Sequence, residues 1–240
     1  MTGFPVPLVT TLTDMADVGR LYRDAPEGLR ANMIFSADGA AAIDGRVRGL
    51  TCPADQYLLR RLRGYSDAIL VGGATARAES YGPIRLPADQ REERAAAGLR
   101  EPRLVVVTLT GRLPESLRSP IGDPPVLLTS RSAAKFNGLH DDASRRVLIA
   151  GEDRVEIVTA LELLRRAGMS RILCEGGPML LDEIVRAGVI DELCVTIAPK
   201  LAGSQTLGPI TTPAMSVPLG LRLRHAVVHD GYLFLRYSRC

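Results

Sequence analysis

Apolar residues come in short unbroken runs through the middle of the chain. Residues 68–71 (AILV), 104–108 (LVVVT), 126–129 (VLLT), 147–150 (VLIA) and 171–174 (RILC) hold almost no polar position. A strand covered on both faces has no solvent side to mark with polar residues, so these runs predict buried strands of a parallel sheet. Helical spacing lies between several of them. Residues 53–63 place Leu58, Leu59 and Leu62 on one face, with Pro53 in the first turn and Thr51 as the expected cap. Residues 159–167 and 179–187 repeat that pattern, and 14–23 predict a short helix capped by Asp14. A first strand over 30–36 ends at Asp38-Gly39, and 40–51 reads as a loop. The charged stretch 85–101 reads as a surface excursion. Strands at 192–198, 221–228 and 232–237 close the chain, the last two joined as a hairpin by His229-Asp230-Gly231. Alternating strands and helices predict an α/β fold, a mostly parallel, mixed central sheet flanked by helices with an antiparallel C-terminal hairpin. The Pro- and Thr-rich residues 1–13 read as an extended leader, which divides the chain into an extension over 1–29 and one domain over 30–240.

Composition narrows the classes. A net charge of +3, with Arg interspersed among Asp and Glu, lacks the basic stripe of a nucleic-acid binder. No apolar run approaches the ~20 residues of a membrane-spanning helix, and the first residues lack the pattern of a signal peptide. The four cysteines, at 52, 174, 194 and 240, show neither CxxC spacing nor a neighbouring His. No metal site is expected, and reduced thiols in a cytoplasmic protein are.

Two segments share one grammar. In AILVGGAT (68–75) and RILCEGGP (171–178), a buried strand stops at a glycine pair and a helix begins. Glycine lets the chain turn sharply and a ligand come close, and a helix start offers unpaired N–H groups and a positive dipole end to an anion such as a diphosphate. Neither segment is a GxGxxG or a Walker loop, so spacing alone supports an anion site and no particular ligand.

The same segments carry a family resemblance. MIFSADGA (33–40), LRGYSDAILVGGATARAE (62–79), RILCEGGPMLLDEIVRAGVIDEL (171–193) and IAPKLAG (197–203) resemble, in order and spacing, the reductase domain of the bifunctional riboflavin-biosynthesis deaminase/reductase and its free-standing relatives. The deaminase half's H-x-E and P-C-x-x-C pattern is missing, which implies a free-standing reductase. The resemblance implies a dihydrofolate-reductase-like fold, a homodimer, and NADPH-dependent hydride transfer to the ribose C1′ of 5-amino-6-(5-phosphoribosylamino)uracil, a small-molecule substrate. Cofactor contacts are implied at Ile34, Gly72, Gly73, Thr75, Glu79, Gly176, Gly177, Pro178, Met179 and Leu180, and substrate contacts at Ser36, Arg63, Arg85 and Glu175. Asp38 and Glu175 are the implied catalytic carboxylates, with turn capping an equal alternative for Asp38. Ser130-Arg131, at the end of another strand, suits the adenosine 2′-phosphate, or equally a plain helix cap and a surface arginine.

The chain departs from the family pattern in two places. Where the family has a small polar run containing Trp, this chain has Arg46-Val47-Arg48-Gly49-Leu50-Thr51, and the family's Asp is Glu79. The two arginines suit either an anionic substrate or solvent. Two other readings therefore stand beside the first: a reductase of dihydrofolate, a pterin or another small molecule on the same fold, and a non-catalytic NADPH-binding protein. The pterin reading requires a buried acid on the first long helix, where only Asp55 is available, near its start, which weakens that reading.

Overall fold

The structure, a computed structural model, describes residues 8–12, 14–118, 123–203 and 215–240. The apolar runs form β3 (Ala68–Gly72), β4 (Arg103–Val107), β5 (Val126–Thr129), β6 (Arg146–Ile149) and β7 (Arg171–Cys174). With β2 (Gly28–Ser36) and β8 (Glu192–Ala198) they make a continuous parallel stretch, ordered β8-β2-β7-β3-β4-β5-β6. Each is followed by a turn at its C-terminal end, so those ends line one edge of the molecule. Here the expected architecture is observed, hairpin included. β9 (Leu221–His229) and β10 (Tyr232–Arg239) pair antiparallel, and β10 also pairs antiparallel with β8.

The hairpin is not the edge of the sheet. β1 (Leu8–Thr11), inside the stretch read as a leader, pairs parallel with β9 and becomes the tenth strand. Residues 1–7 and 13 of that leader lie outside the described residues. α1 (Met15–Arg20) follows, capped by Asp14, whose Oδ1 accepts from the Ala16 amide at 2.7 Å.

Two cores flank the sheet. On one face α2 (Pro53–Gly64) buries Leu58 and Leu62 against Ile34, Ile69, Val71, Leu173 and Phe234. Each such side chain contributes roughly 1.5–3 kcal/mol by leaving water. On the other, α6 (Ile157–Arg166) and α7 (Pro178–Arg186) bury Leu161, Leu164, Leu180 and Ile184 against Leu29, Leu70, Val105 and Ile172. The α2 cap differs from expectation: Cys52 holds the position and its sulfur accepts from the Asp55 amide, while the Thr51 hydroxyl donates to the Asp55 carboxylate at 2.7 Å.

The stretch 85–101 holds a helix, α4 (Ala88–Ala96), rather than an irregular excursion. Its inward face is polar, which hid it from an apolar pattern: buried Arg94 donates to the Gly64 carbonyl at 3.0 Å and the Arg100 carbonyl at 2.7 Å, and pairs with Asp67. Buried charge also marks the antiparallel half. Arg30, Glu192 and Arg236 form an ion-paired chain across β2, β8 and β10. Such a chain adds little net stability but is costly to break.

Candidate active site

The two glycine turns lie side by side. β3 and β7 are adjacent, and the Gly72 amide donates to the Gly176 carbonyl at 2.8 Å. Beyond Gly176, α7 starts at Pro178 with Gly177 as its cap, and its first intrahelical bond runs from the Leu181 amide to the Gly177 carbonyl. The Met179 and Leu180 amides precede that bond and have no partner within the helix. Met179 is 81% exposed, whereas the Leu180 side chain is core, so Leu180 can offer a ligand only its backbone. α3 (Gly73–Ala78) begins at the β3 tip.

The glycines meet different neighbours. A Cβ on Gly177 would lie 2.2 Å from Thr75 Oγ1, so the space glycine leaves there is filled by this chain's own threonine. Gly176 has φ +81°, a left-handed conformation glycine adopts without penalty, and a Cβ there would reach Met33 Sδ at 3.3 Å. Gly73 abuts Thr108 at the β4 tip, whose hydroxyl accepts from the Thr110 and Gly111 amides. Thr108 carries no sequence signal.

Further along the same edge, Ser130 caps α5 (Arg131–Asn137), its hydroxyl accepting from the Ala133 amide at 3.3 Å. Arg131 pairs with Glu152 in solvent. Of the two sequence readings, helix cap and surface arginine describe the local bonds, and both residues still lie at the strand edge that the glycine tips share.

On the α2 side of that edge sits a buried polar wall. Arg63 Nε and Nη2 donate to the two Glu175 carboxylate oxygens, each at 2.7 Å, and the Tyr81 hydroxyl donates to Oε2 at 2.6 Å. The Arg63 guanidinium lies over the Tyr81 ring. Burial works to lower the Arg63 pKa, but the Glu175 charge outweighs it and holds the pKa above the ordinary arginine value. Burial first, and the Glu175 charge next, push the Tyr81 phenol well above its usual range. Arg63 and Glu175, expected separately at the substrate, are thus one bidentate pair, which Tyr81 completes.

Ser36 and Asp38 form the next corner. The Ser36 hydroxyl donates to Asp38 Oδ1 at 2.5 Å and accepts from the Ala40 amide. Asp38 also accepts from the Ala202 and Gly203 amides at 3.1 and 2.8 Å. The Ser36 bond and those amides hold its carboxyl down to about 2. Asp38 is an ionised clasp between the turn after β2 and the segment after β8, which is the capping alternative, and a group held so low has no proton to give near neutrality.

The departing loop is tied down over this corner. The Val47 amide donates to Glu79 Oε1 at 2.8 Å, Lys200 Nζ donates to the Gly49 carbonyl at 2.9 Å, and the Tyr232 hydroxyl donates to the Leu50 carbonyl at 3.1 Å. Glu79 belongs to the β3 side and Lys200 to the end of β8, so residues 46–51 span the tips of β7 and β2 between them. Ile34 lies beneath, in the α2-side core. Arg46 and Arg48 are exposed on the outside. Glu79, expected to face the cofactor, spends one carboxylate oxygen on this tether. Nothing in the sequence near Lys200 or Tyr232 signals their part in it.

Arg85 is not brought to this edge. It is exposed and lines a cavity of about 470 Å³ with Arg103 and Pro125. Arg103 opens β4 and Pro125 precedes β5, so that cavity lies at the N-terminal ends of the strands. The charged segment after Ser80 carries too little pattern to place Arg85 by spacing. No cluster of His, Cys, Asp or Glu suited to a metal occurs among the described residues.

Comparison with known proteins identifies the family. The RibD C-terminal domain family matches residues 28–231. The 2,5-diamino-6-ribosylamino-4(3H)-pyrimidinone 5′-phosphate reductase of Archaeoglobus fulgidus is 30% identical over 175 residues, 69% of this chain and 80% of that protein. Its namesake from Methanothermobacter thermautotrophicus is 30% identical over 184 residues, 74% and 82% of the two chains. The riboflavin biosynthesis protein RibD of Escherichia coli is 26% identical over 186 residues, 75% of this chain but 50% of RibD. Among solved structures, a pyrimidine reductase-like protein from Corynebacterium diphtheriae superposes with a TM-score of 0.77 at 25% identity, covering 95% of this chain and 99% of that one.

Proposed function

Because this chain belongs to the RibD C-terminal domain family, we propose that it is an NADPH-dependent reductase that converts a ribosylaminopyrimidine 5′-phosphate to its ribityl product by hydride transfer to C1′. The observation that carries this reading is the pair of adjacent strand tips, Gly72-Gly73 and Gly176-Gly177, meeting at the start of the nine-residue α7. That cradle fits a dinucleotide. The Met179 and Leu180 amides and the α7 dipole suit the diphosphate, with Thr75 beside them. Ser130 and Arg131, further along the same edge, suit the 2′-phosphate. Reduced nicotinamide, when bound, supplies the hydride.

The chain's own residues supply position and exclusion of water. Ile34 and Ser36 form the floor on which the reacting rings lie. The Arg63–Glu175 pair forms a rigid polar wall for the substrate, leaving Arg63 Nη1 free of Glu175 to meet an anionic group, and Arg46 and Arg48 add positive charge at the rim. The tethered loop 46–51 closes the top and keeps water from the transferred hydride. In this reading Asp38 fixes the corner rather than moving a proton.

The same proposal includes a homodimer and a cytoplasmic location. The face of the antiparallel half opposite α2 carries three cross-strand pairs, Leu233 with Ile197, Leu235 with Val195 and Tyr237 with Leu193, all half-buried or exposed. A contiguous apolar face of this kind suits a second copy. All four cysteines are free thiols, as a reducing compartment requires. Among the described residues no helix is long and apolar enough to cross a membrane.

The test is NADPH oxidation measured side by side with the ribosylaminopyrimidinone phosphate and with dihydrofolate. Turnover of the first is expected. Turnover of dihydrofolate alone would transfer the assignment to the pterin reading, which the burial of Asp55 on the first long helix favours. Tight NADPH binding with neither activity would support the non-catalytic reading. Replacing Arg131 by Ala should lower the preference for NADPH over NADH roughly tenfold, the worth of one charge-assisted contact, with folding stability unchanged.

A further inference from the structure

Opening a ribosylamine and reducing C1′ requires a proton as well as a hydride, because the ring oxygen leaves carbon as a hydroxyl. Four carboxyl groups lie near the proposed site, and three are committed elsewhere. Asp38 is ionised, held by Ser36 and two amides. Glu79 accepts from the Val47 amide. Glu175 takes three donors, two from a guanidinium, and is committed to that pairing. The fourth, Asp55, is different in kind. It is 7% exposed and has no cationic partner among the described residues. It receives the Thr51 hydroxyl at 2.7 Å and has Thr196 beside it.

Register places Asp55 at the floor of the site. Thr196 stands directly opposite Ile34 on neighbouring strands, and Glu175 follows Cys174, the partner of Ala31, on the other side of β2. Asp55, beside Thr196, and Glu175, after Cys174, therefore lie on the β8 and β7 sides of Ile34, one strand to each side of β2. Thr51 ends the loop that roofs the same space. The titratable groups on the packed elements are otherwise engaged: Tyr232 and Lys200 donate to the Leu50 carbonyl, and Arg63 neutralises Glu175. On β2 the buried Asn32 Oδ1 has no partner among the described residues and lies on the same strand face as Ile34, ready to accept from a bound heterocycle.

Resting on the reductase reading above, we infer that Asp55 is the proton donor of the reaction. Its carboxyl proton passes to the ring oxygen as the C1′–O4′ bond breaks, and that bond's electron pair stays on the oxygen, which becomes the C4′ hydroxyl. The exocyclic nitrogen's lone pair forms a C1′=N bond. The hydride then adds to C1′ and the π electrons return to nitrogen. The Asp55 carboxylate regains a proton from water, so each turnover consumes one NADPH and one proton. Burial raises the Asp55 pKa against the lowering effect of its hydroxyl partners, which keeps the acid form available at higher pH than an exposed aspartate would allow.

The experiment compares wild type with Asp55→Asn and Thr51→Val, each assayed as kcat/KM against pH with the ribosylaminopyrimidinone phosphate. NADPH affinity is measured by fluorescence titration, and the protonated carboxyl is followed by infrared difference spectroscopy. Wild-type kcat/KM should fall as pH rises through the raised pKa, because the acid form is the active one. Asp55→Asn should lose about 100- to 10,000-fold in kcat, lose that limb and lose the carboxylic-acid band, with NADPH binding retained. Thr51→Val removes a hydrogen bond to the carboxylate, so the limb should move to higher pH. A kcat for Asp55→Asn within about threefold of wild type, or a limb that survives it, overturns the inference. So does a limb unmoved in Thr51→Val, which decides the matter if Asp55→Asn fails to fold. An inactive wild type that still binds NADPH sinks the reductase reading itself, whereas an active wild type with an unaffected Asp55→Asn sinks only this step.

Discussion

The glycine pair that ends β3 and the pair that ends β7 sit on neighbouring strands and touch, yet they answer to different constraints. At the β7 tip both positions are demanding: Gly176 is left-handed, and Gly177 leaves the space that Thr75 fills. At the β3 tip, Gly73 is tight against Thr108, while a Cβ on Gly72 would find its nearest atom at an ordinary 3.6 Å. The β7 tip also carries Glu175, locked by Arg63 and Tyr81, and feeds a nine-residue helix; the β3 tip feeds one of six residues. One turn is built rigid and the other closes against it. A glycine doublet in sequence therefore reports a turn and leaves open whether a ligand or the protein's own side chain takes the space.

Substitutions at the two tips sharpen that asymmetry. The largest effect is expected from Gly177→Val, which forces Thr75 out of place and displaces the start of α7. Overpacking of this kind costs about 2–3 kcal/mol, which read as NADPH affinity is roughly a hundredfold loss by fluorescence titration. An unchanged Kd would show that the diphosphate does not use this tip. Next, Glu175→Gln should cost about 2 kcal/mol in urea unfolding, less than a fully buried pair because Arg63 keeps some solvent contact. A smaller loss, about 1 kcal/mol, is expected for Gly73→Ala, since Thr108 must shift by a few tenths of an ångström. Gly72→Ala should stay within about 0.5 kcal/mol of wild type. If Gly72→Ala proved as damaging as Gly177→Val, the two turns would be equivalent and the comparison would fail.

The strands were legible where burial on both faces removes polar residues. The segments 126–129 and 171–174 coincide with β5 and β7. α4 was not legible, because what it buries is Arg94 and Gln90, and a polar inward face looks like solvent. β1 was missed for a related reason: four residues at an edge carry no period long enough to read, and β1's strand character comes from pairing with β9 more than 200 residues away. At the site, residue type and spacing made the glycine tips and the Asp38-Gly39 turn legible, and Glu175 came only from the family resemblance. Spacing was silent on Tyr81 and Lys200, whose partners are distant in sequence, and on Thr108, which meets Gly73 only across neighbouring strands, while Arg85, which the resemblance implied at the substrate, lies at the other ends of the strands.

By itself the sequence determined a parallel core of short apolar strands, the antiparallel finish and two glycine turns, since local burial and local backbone freedom are written residue by residue. Tertiary structure alone decided that Asp38 is held ionised, that Asp55 is buried without a cation among the described residues, and that Thr75 occupies the space at Gly177. The physical reason is that a charge state and a steric vacancy belong to the neighbours that surround a group, and those neighbours come together only when strands far apart in the chain lie side by side.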